Sequence, residues 1–431
     1  LQENLLETGT MAQGLMEECR RIHPKMQFCG DPPNAILDLP EDLLNYVLSI
    51  LRENPVPPPE LSIRKWSESL PVLAPHGIIP LLYWLLKELP EPLRPPAEIM
   101  EKMDYAFLMQ TVRAVREERQ VRDIVAAFEE EGVRILALKG FALARMVYPD
   151  PATRPGADLD LLALPEQMPL ARTILENIGY DCAVKMFDTQ EKLYKDEYFV
   201  HKKHLRYFRK IELHWQLHSF LGIRQEARTE ELFDRAIKVE TESLIFEALD
   251  PVDSFIHKAI NNAYGHDEEM RLGWIYDITL LARKLKAPDD WELLQKRCVE
   301  WRARFAVELS IEMARAWLGL KLPQGFDDFS TWPQPTDSEA NGWSKLITRH
   351  HRFLTLLSLR MPPCTGVMER VRLLARLVFP LRDKVCRDFP PPHDLLFPLS
   401  YVYRWWHWVE KLTRTNPNQR SLAQRRKGAK S

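Results

Sequence analysis

The chain is predicted to be an α+β protein, mostly helical, with a small mixed sheet flanked by N- and C-terminal helical regions. Three observations predict this. Apolar residues recur at helical spacing from residue 39 to 131 and again from 250 to 412. Between them, short apolar runs alternate with turns marked by glycine and proline. Within that middle span, Arg209-Lys210-Ile211-Glu212-Leu213-His214-Trp215-Gln216-Leu217 alternates residue by residue, as a half-buried strand does. The 431 residues are 45% hydrophobic and 28% charged, ample for a large core and too apolar for wholesale disorder. A net charge of −2 gives no general pull toward nucleic acid or membrane, so either partner would need a local patch.

Taken in order, residues 1–36 are acidic at the start and lack the basic and apolar blocks of a secretory signal. They read as a poorly ordered leader. Residues 37–131 form an N-terminal helical region. Leu39 to Glu53 has Leu43, Val47, Leu48 and Leu51 at helical spacing and stops at Asn54-Pro55. A second helical portion runs from Leu61 to about Leu89. A long helix from Pro95-Pro96 to about Glu131 follows, with Ile99, Met103, Phe107, Val121, Ile124, Val125 and Phe128 on its apolar side and a run of charges read as a solvated face. Gly132 closes it.

The mixed region, residues 132–220, should contain a strand at Val133–Leu138, a helix at Phe141–Tyr148, a strand at Asp158–Ala163 and a helix at Pro165–Asn177 ended by Gly179. A strand at Tyr180–Phe187 and the alternating stretch Tyr198–Leu217 complete it. After Arg224 the chain returns to helix in the region 221–322, at Asp250–Ala263, Leu272–Leu285 and Asp290 to about Leu318. The C-terminal helical region, 323–413, opens on a surface connection at Pro323–Asp337. It continues with helices near Trp343–Leu359, Val367–Leu381 and Leu395–Leu412, before a basic tail at 414–431.

The six cysteines (Cys19, Cys29, Cys182, Cys298, Cys364 and Cys386) show no C-x-x-C or Cys/His ligand spacing and read as reduced, mostly buried thiols. No run of about 18 apolar residues is present that would span a bilayer. A cytoplasmic protein is expected. The last helix, rich in Tyr401, Tyr403, Trp405, Trp406 and Trp408, has two readings. Its aromatics either pack in a core or, with Arg404, Lys411, Arg414 and the bases of the tail, lie peripherally on an anionic membrane or against RNA.

The candidate chemistry centres on Asp158-Leu159-Asp160. On a strand, two carboxylates at i and i+2 point the same way while Leu159 and Leu161 face the core. A strand closed by Lys139-Gly140 precedes them, and a later alternating strand offers Glu212 on its polar face. Phosphoryl and nucleotidyl transfer use such sets, because two or three carboxylates hold the divalent ions that neutralise a triphosphate. His214 shares the polar face of Glu212. His257, Asn261, Asn262 and His266, with Arg271 and Asp277, either border the same site or are helix-packing polar residues.

These motifs together, LKGFALARMVYPDPATRPGADLDLL from Leu138, then Gly179-Tyr180 and IELHWQLH from Ile211, resemble an uncharacterised bacterial nucleotidyltransferase family of the polymerase-β-type superfamily. There is a more distant likeness to nucleotidyltransferase toxins of abortive-infection systems. The resemblance implies a nucleotidyltransferase core at 132–220. It implies that Asp158, Asp160 and Glu212 are the catalytic carboxylates and bind Mg²⁺ (or Mn²⁺). Lys139, Gly140 and Arg154 would contact the nucleotide, Lys139 alternatively pairing with a structural carboxylate and Arg154 alternatively orienting Asp158 or Asp160. From their positions, His214 reads as a group supporting the carboxylates, a base or a structural histidine, and His257 and Asp277 as supports of the site or helix-packing residues. The implied reaction moves a nucleoside monophosphate from an NTP to an acceptor hydroxyl on a small molecule, peptide, glycan or RNA. Alternatives are a catalytically degenerate nucleotide-binding scaffold and a toxin-like enzyme acting on tRNA. One departure stands out: Gly140 is followed by Phe141, where the superfamily has a small residue.

Overall fold

The computed structural model describes residues 39–184, 195–203, 207–218, 227–264, 271–337, 339–340, 379, 385 and 397–413. The chain divides into two compact units, residues 1–349 and 350–431. The leader, the helices expected near 343–359 and 367–381, the basic tail and His266 lie outside the described residues, except that Phe379 is described.

In the first unit, helix α1 (Glu41–Leu51) opens with Glu41 and Asp42, acids that suit the positive end of a helix. The second helical portion is two helices rather than one. Helix α2 (Ile63–Leu73) and the following turn Ala74–His76 end at Gly77, whose φ of 67° lies in the left-handed region open to glycine. Helix α3 (Ile79–Lys87) then leaves at 115° to the preceding segment. Helix α4 (Ala97–Glu130) is the expected long helix and runs for 34 residues. Among the described residues, no single helix is long and apolar enough to cross a membrane.

Strands β1 (Ile135–Ala137), β2 (Asp158–Ala163), β3 (Tyr180–Val184), β4 (Asp196–His201), β5 (Lys210–His214), β6 (Ile237–Glu240) and β7 (Ile245–Ala248) form one seven-stranded sheet. Its order is β3-β4-β5-β2-β1-β7-β6. The sheet is mixed: β2 pairs with β5 and β1 with β7 in parallel, and the other neighbours are antiparallel. Helices α5 (Lys139–Met146) and α6 (Met168–Asn177) follow β1 and β2. The stretch expected to alternate from Tyr198 to Leu217 is two strands, β4 and β5, in antiparallel pairing.

Strands β6 and β7 correct the expectation of helix alone after Arg224. Ile237-Lys238-Val239-Glu240 alternates only over four residues, and its buried member Val239 gains meaning only when β7 pairs with β1. Helix α7 (Thr229–Asp234) precedes this hairpin. Helices α8 (Pro251–Tyr264), α9 (Leu272–Lys284), α10 (Pro288–Glu300) and α11 (Arg304–Leu318) follow it; the segment expected as one helix from 290 to 318 is broken at Arg302, where φ is 53°.

One hydrophobic core joins α1–α4, Leu136 of β1, Leu162 of β2 and α8–α11, so the N-terminal and middle helices form a single body packed against the central strands of the sheet. The approach is closest at Gly273, where an added Cβ would lie 2.7 Å from the His76 carbonyl oxygen. Of the described cysteines, Cys182 is partly buried and Cys298 is buried, and neither is in a disulfide. In the second unit, helix α12 (Phe397–Thr413) packs Tyr401 and Trp405 against Phe379, while Leu399, Val402, Tyr403 and Trp406 are exposed.

Candidate active site

Strands β2 and β5 run side by side in parallel register, which sets Asp160 opposite Glu212 and Leu162 opposite His214. Alternation then sorts the residues: Leu159, Leu161, Ile211 and Leu213 are fully buried beneath the sheet, and Asp158, Asp160, Glu212 and His214 share the other face. Asp160, Glu212 and His214 each bring a ligand atom within 4.8 Å of the others, a group able to hold a metal ion. Asp158 is outside that group, yet its charge reaches Glu212.

Two donors converge on one oxygen of Asp160: Lys139 Nζ at 2.6 Å and His214 Nε2 at 2.9 Å. His214 Nδ1 lies 3.1 Å from Lys195 Nζ, and Lys195 pairs with Asp196 at the start of β4. Burial alone would raise the Asp160 carboxyl, but Lys139 and the His214 hydrogen bond outweigh it and hold the group ionised well below the usual carboxylate range. Glu212 moves the other way. Burial and then the charges of Asp160 and Asp158 push its carboxyl upward, although Lys210 Nζ lies 2.9 Å from it. His214 is held toward its neutral form by burial and by Lys195.

The turn from β1 into α5 departs from what its sequence suggests. The left-handed backbone conformation falls on Lys139, with φ of 42°, and not on Gly140. A side chain with a Cβ held there is strained, a feature that clusters at functional sites. Gly140 is constrained in a different way: a Cβ would lie 3.1 Å from Arg154 Nη1, so the guanidinium would have to shift by a few tenths of an ångström. Phe141 points away from the acidic group into the core, 1% exposed, its ring 5.0 Å from that of Phe246 on β7 and stacked under Arg145. The bulky residue after Gly140 therefore fills the core beneath the turn and leaves the face above it clear.

Among the described residues, Arg154 pairs with neither Asp158 nor Asp160. It grips Asp277 of α9, which also accepts a hydrogen bond from Tyr148 Oη at 2.8 Å and pairs with Lys258 of α8 at 3.0 Å. Burial would raise the Asp277 carboxyl, but the two cations bring it down to about 2, while burial lowers Lys258 to about 8. A small crevice beside this cluster is lined by Lys139 and Ala142 on one side and Ser254, His257 and Lys258 on the other.

His257 is 1% exposed, and its ring stacks on that of His218 at 4.8 Å. Both nitrogens of His257 and Nε2 of His218 lack a hydrogen-bond partner among the described residues, and burial keeps both rings neutral. Asn261 Nδ2 donates to the His257 carbonyl, and Asn262 Nδ2 approaches the Trp274 carbonyl at 3.4 Å, both contacts of helix packing; Arg271 stacks on Trp274.

Lys195, Asp196, His218 and Lys258 were not among the residues singled out from sequence. His218 had a legible signal, since 214, 216 and 218 fall on one side of the alternation. Lys195 and Asp196 had none, because the pairing of β4 with β5 brings them to His214. Comparison with protein-family models gives a match over residues 62–319 to a family described as an uncharacterised nucleotidyltransferase. No curated protein matches the chain.

Proposed function

Since the chain belongs to the uncharacterised nucleotidyltransferase family, we propose that it moves a nucleoside monophosphate from an NTP to an acceptor hydroxyl with release of pyrophosphate, using Mg²⁺ (or Mn²⁺) held by Asp158, Asp160 and Glu212. The observation that carries this reading is the register pairing of Asp160 with Glu212, which gathers carboxylate oxygens from adjacent strands.

The donor set fits such an ion. Oxygen ligands suit hard divalent cations, and Asp160 and Glu212 bring carboxylate oxygens together from adjacent strands. When bound, the cation offsets charge on the triphosphate and on the attacking oxygen. His214 holds Asp160 in orientation through Nε2. Glu212 accepts the proton of the acceptor hydroxyl, directly or through water. Lys139, poised on Asp160 by its strained backbone, turns its ammonium to a phosphate oxygen. The first N–H groups of α5 face phosphate as a helix N-terminus does. Arg154, tied to Asp277, fixes the turn that carries Asp158 and stands over Gly140.

The test is transfer from α-labelled NTPs to a cell extract with Mg²⁺ or Mn²⁺. Transfer is expected from the wild type and should fall about a hundredfold or more in Asp160→Asn and in Glu212→Gln. Undiminished transfer in both variants rejects these residues as its catalysts. NTP binding by calorimetry without turnover over many acceptors favours a binding module instead.

A further inference from the structure

Helix α4 carries a second pattern on the side away from its core. Its buried residues, Ile99, Met103, Glu117, Gln120, Val121, Ile124 and Phe128, face the protein's own interior. Opposite them, Glu98, Glu101, Tyr105, Leu108, Val112, Val115, Arg119 and Arg122 are all exposed. Those eight positions step by three and four throughout, which is the a/d seam of a heptad repeat, and the buried set falls at b, c and f. The middle of the seam is apolar and far from covered: Tyr105 is 65% exposed, Leu108 55%, Val112 38% and Val115 66%, with Met109 beside them at 38%.

The order of the seam is acid, acid, four apolar residues, base, base. Reversing the direction exchanges acids for bases and returns the apolar residues to one another. We propose that α4 is a self-association surface, on which a second copy of this chain docks its own α4 antiparallel about a two-fold axis near residue 110. In that register a faces d of the partner helix throughout. Tyr105 meets Val115, Leu108 meets Val112, Glu101 meets Arg119 and Glu98 meets Arg122, each pair formed twice by symmetry. A parallel pairing would set Glu98 and Glu101 against themselves and Arg119 and Arg122 against themselves. Charge therefore selects both the orientation and the register. The inference is independent of the reaction proposed above, since no seam residue belongs to the acidic site.

The test is sedimentation of the full chain at micromolar concentration, with circular dichroism as the check on folding. The wild type is expected to be a dimer, and Leu108→Glu/Val112→Glu a folded monomer. Glu101→Arg alone and Arg119→Glu alone each create two like-charge contacts and should weaken the dimer about tenfold. Glu101→Arg/Arg119→Glu on one chain exchanges the partners and should restore it. A wild type that stays monomeric overturns the proposal, whether another part of the chain or a different protein covers the seam. A dimer indifferent to Leu108→Glu/Val112→Glu overturns it too, as does failure of the double reversal to recover what each single reversal loses.

Discussion

Arg154 holds Asp277 with two parallel hydrogen bonds, Nε to Oδ1 at 2.7 Å and Nη2 to Oδ2 at 2.9 Å, joining the turn ahead of β2 to helix α9 far along the chain. Asp277 is 1% exposed and also serves Tyr148 and Lys258, so the arginine neutralises a buried charge while Nη1 lies over Gly140. The turn carrying the first aspartate is thus fixed from the helical layer by Arg154, as well as by Arg209 ahead of β5, which donates to the Gly156 carbonyl.

Removing that grip should be costly. Arg154→Ala leaves Asp277 with Lys258 as its remaining cation and should lower the unfolding free energy by about 3–5 kcal/mol. Arg154→Lys keeps the charge but loses the two-pronged geometry and should recover only part of it. Chemical denaturation of the three proteins measures both losses; equal stability of Arg154→Ala and the wild type would rule out the structural role.

Phe141 tests whether the unusual turn is a catalytic defect or a core residue. Phe141→Ser restores the small residue of the superfamily pattern, yet the ring it removes is buried against Phe246. A stability loss of about 3–5 kcal/mol is expected, by analogy with large-to-small core substitutions, and no gain in nucleotide transfer. Increased transfer with unchanged stability would refute this.

Gly273→Ala addresses the packing of α9 on the turn after α2. The new methyl would sit 2.7 Å from the His76 carbonyl oxygen, backbone that yields only by moving the turn. A loss of about 1–3 kcal/mol is expected from overpacking, partly offset by the better helix propensity of alanine. Thermal denaturation reads it directly.

The pH dependence of stability should carry the mark of Glu339. Burial is the main cause that raises its carboxyl from 4.5 to about 7, although Oε1 accepts the Phe305 N–H at 2.7 Å, and Oε2 has no partner among the described residues. The folded state therefore holds a proton that the unfolded chain releases earlier. This contribution is fully present below about pH 4.5, is lost as pH rises through 7, and is on the order of 3 kcal/mol. Glu339→Gln removes the slope, so the variant should gain on the wild type between those limits in denaturation at stepped pH. Parallel curves for the two proteins would show that Glu339 does not carry it.

Much of this protein was determined by local sequence. The long periodic run of α4 set that helix, Gly132 ended it where a left-handed residue was needed, and two-residue alternation was enough to put Asp158, Asp160, Glu212 and His214 on one face with Leu159 and Leu213 on the other. Such patterns are legible because each residue's role depends on neighbours within a few positions. The partners were decided only by tertiary structure. Arg154 meets Asp277, Lys195 meets His214, β7 pairs with β1, and Phe141 turns to Phe246, all through contacts between segments remote in sequence. The exposed seam of α4 needed both levels: its heptad spacing lies in the sequence, but only the fold says that its opposite face has already been used by the protein's own core.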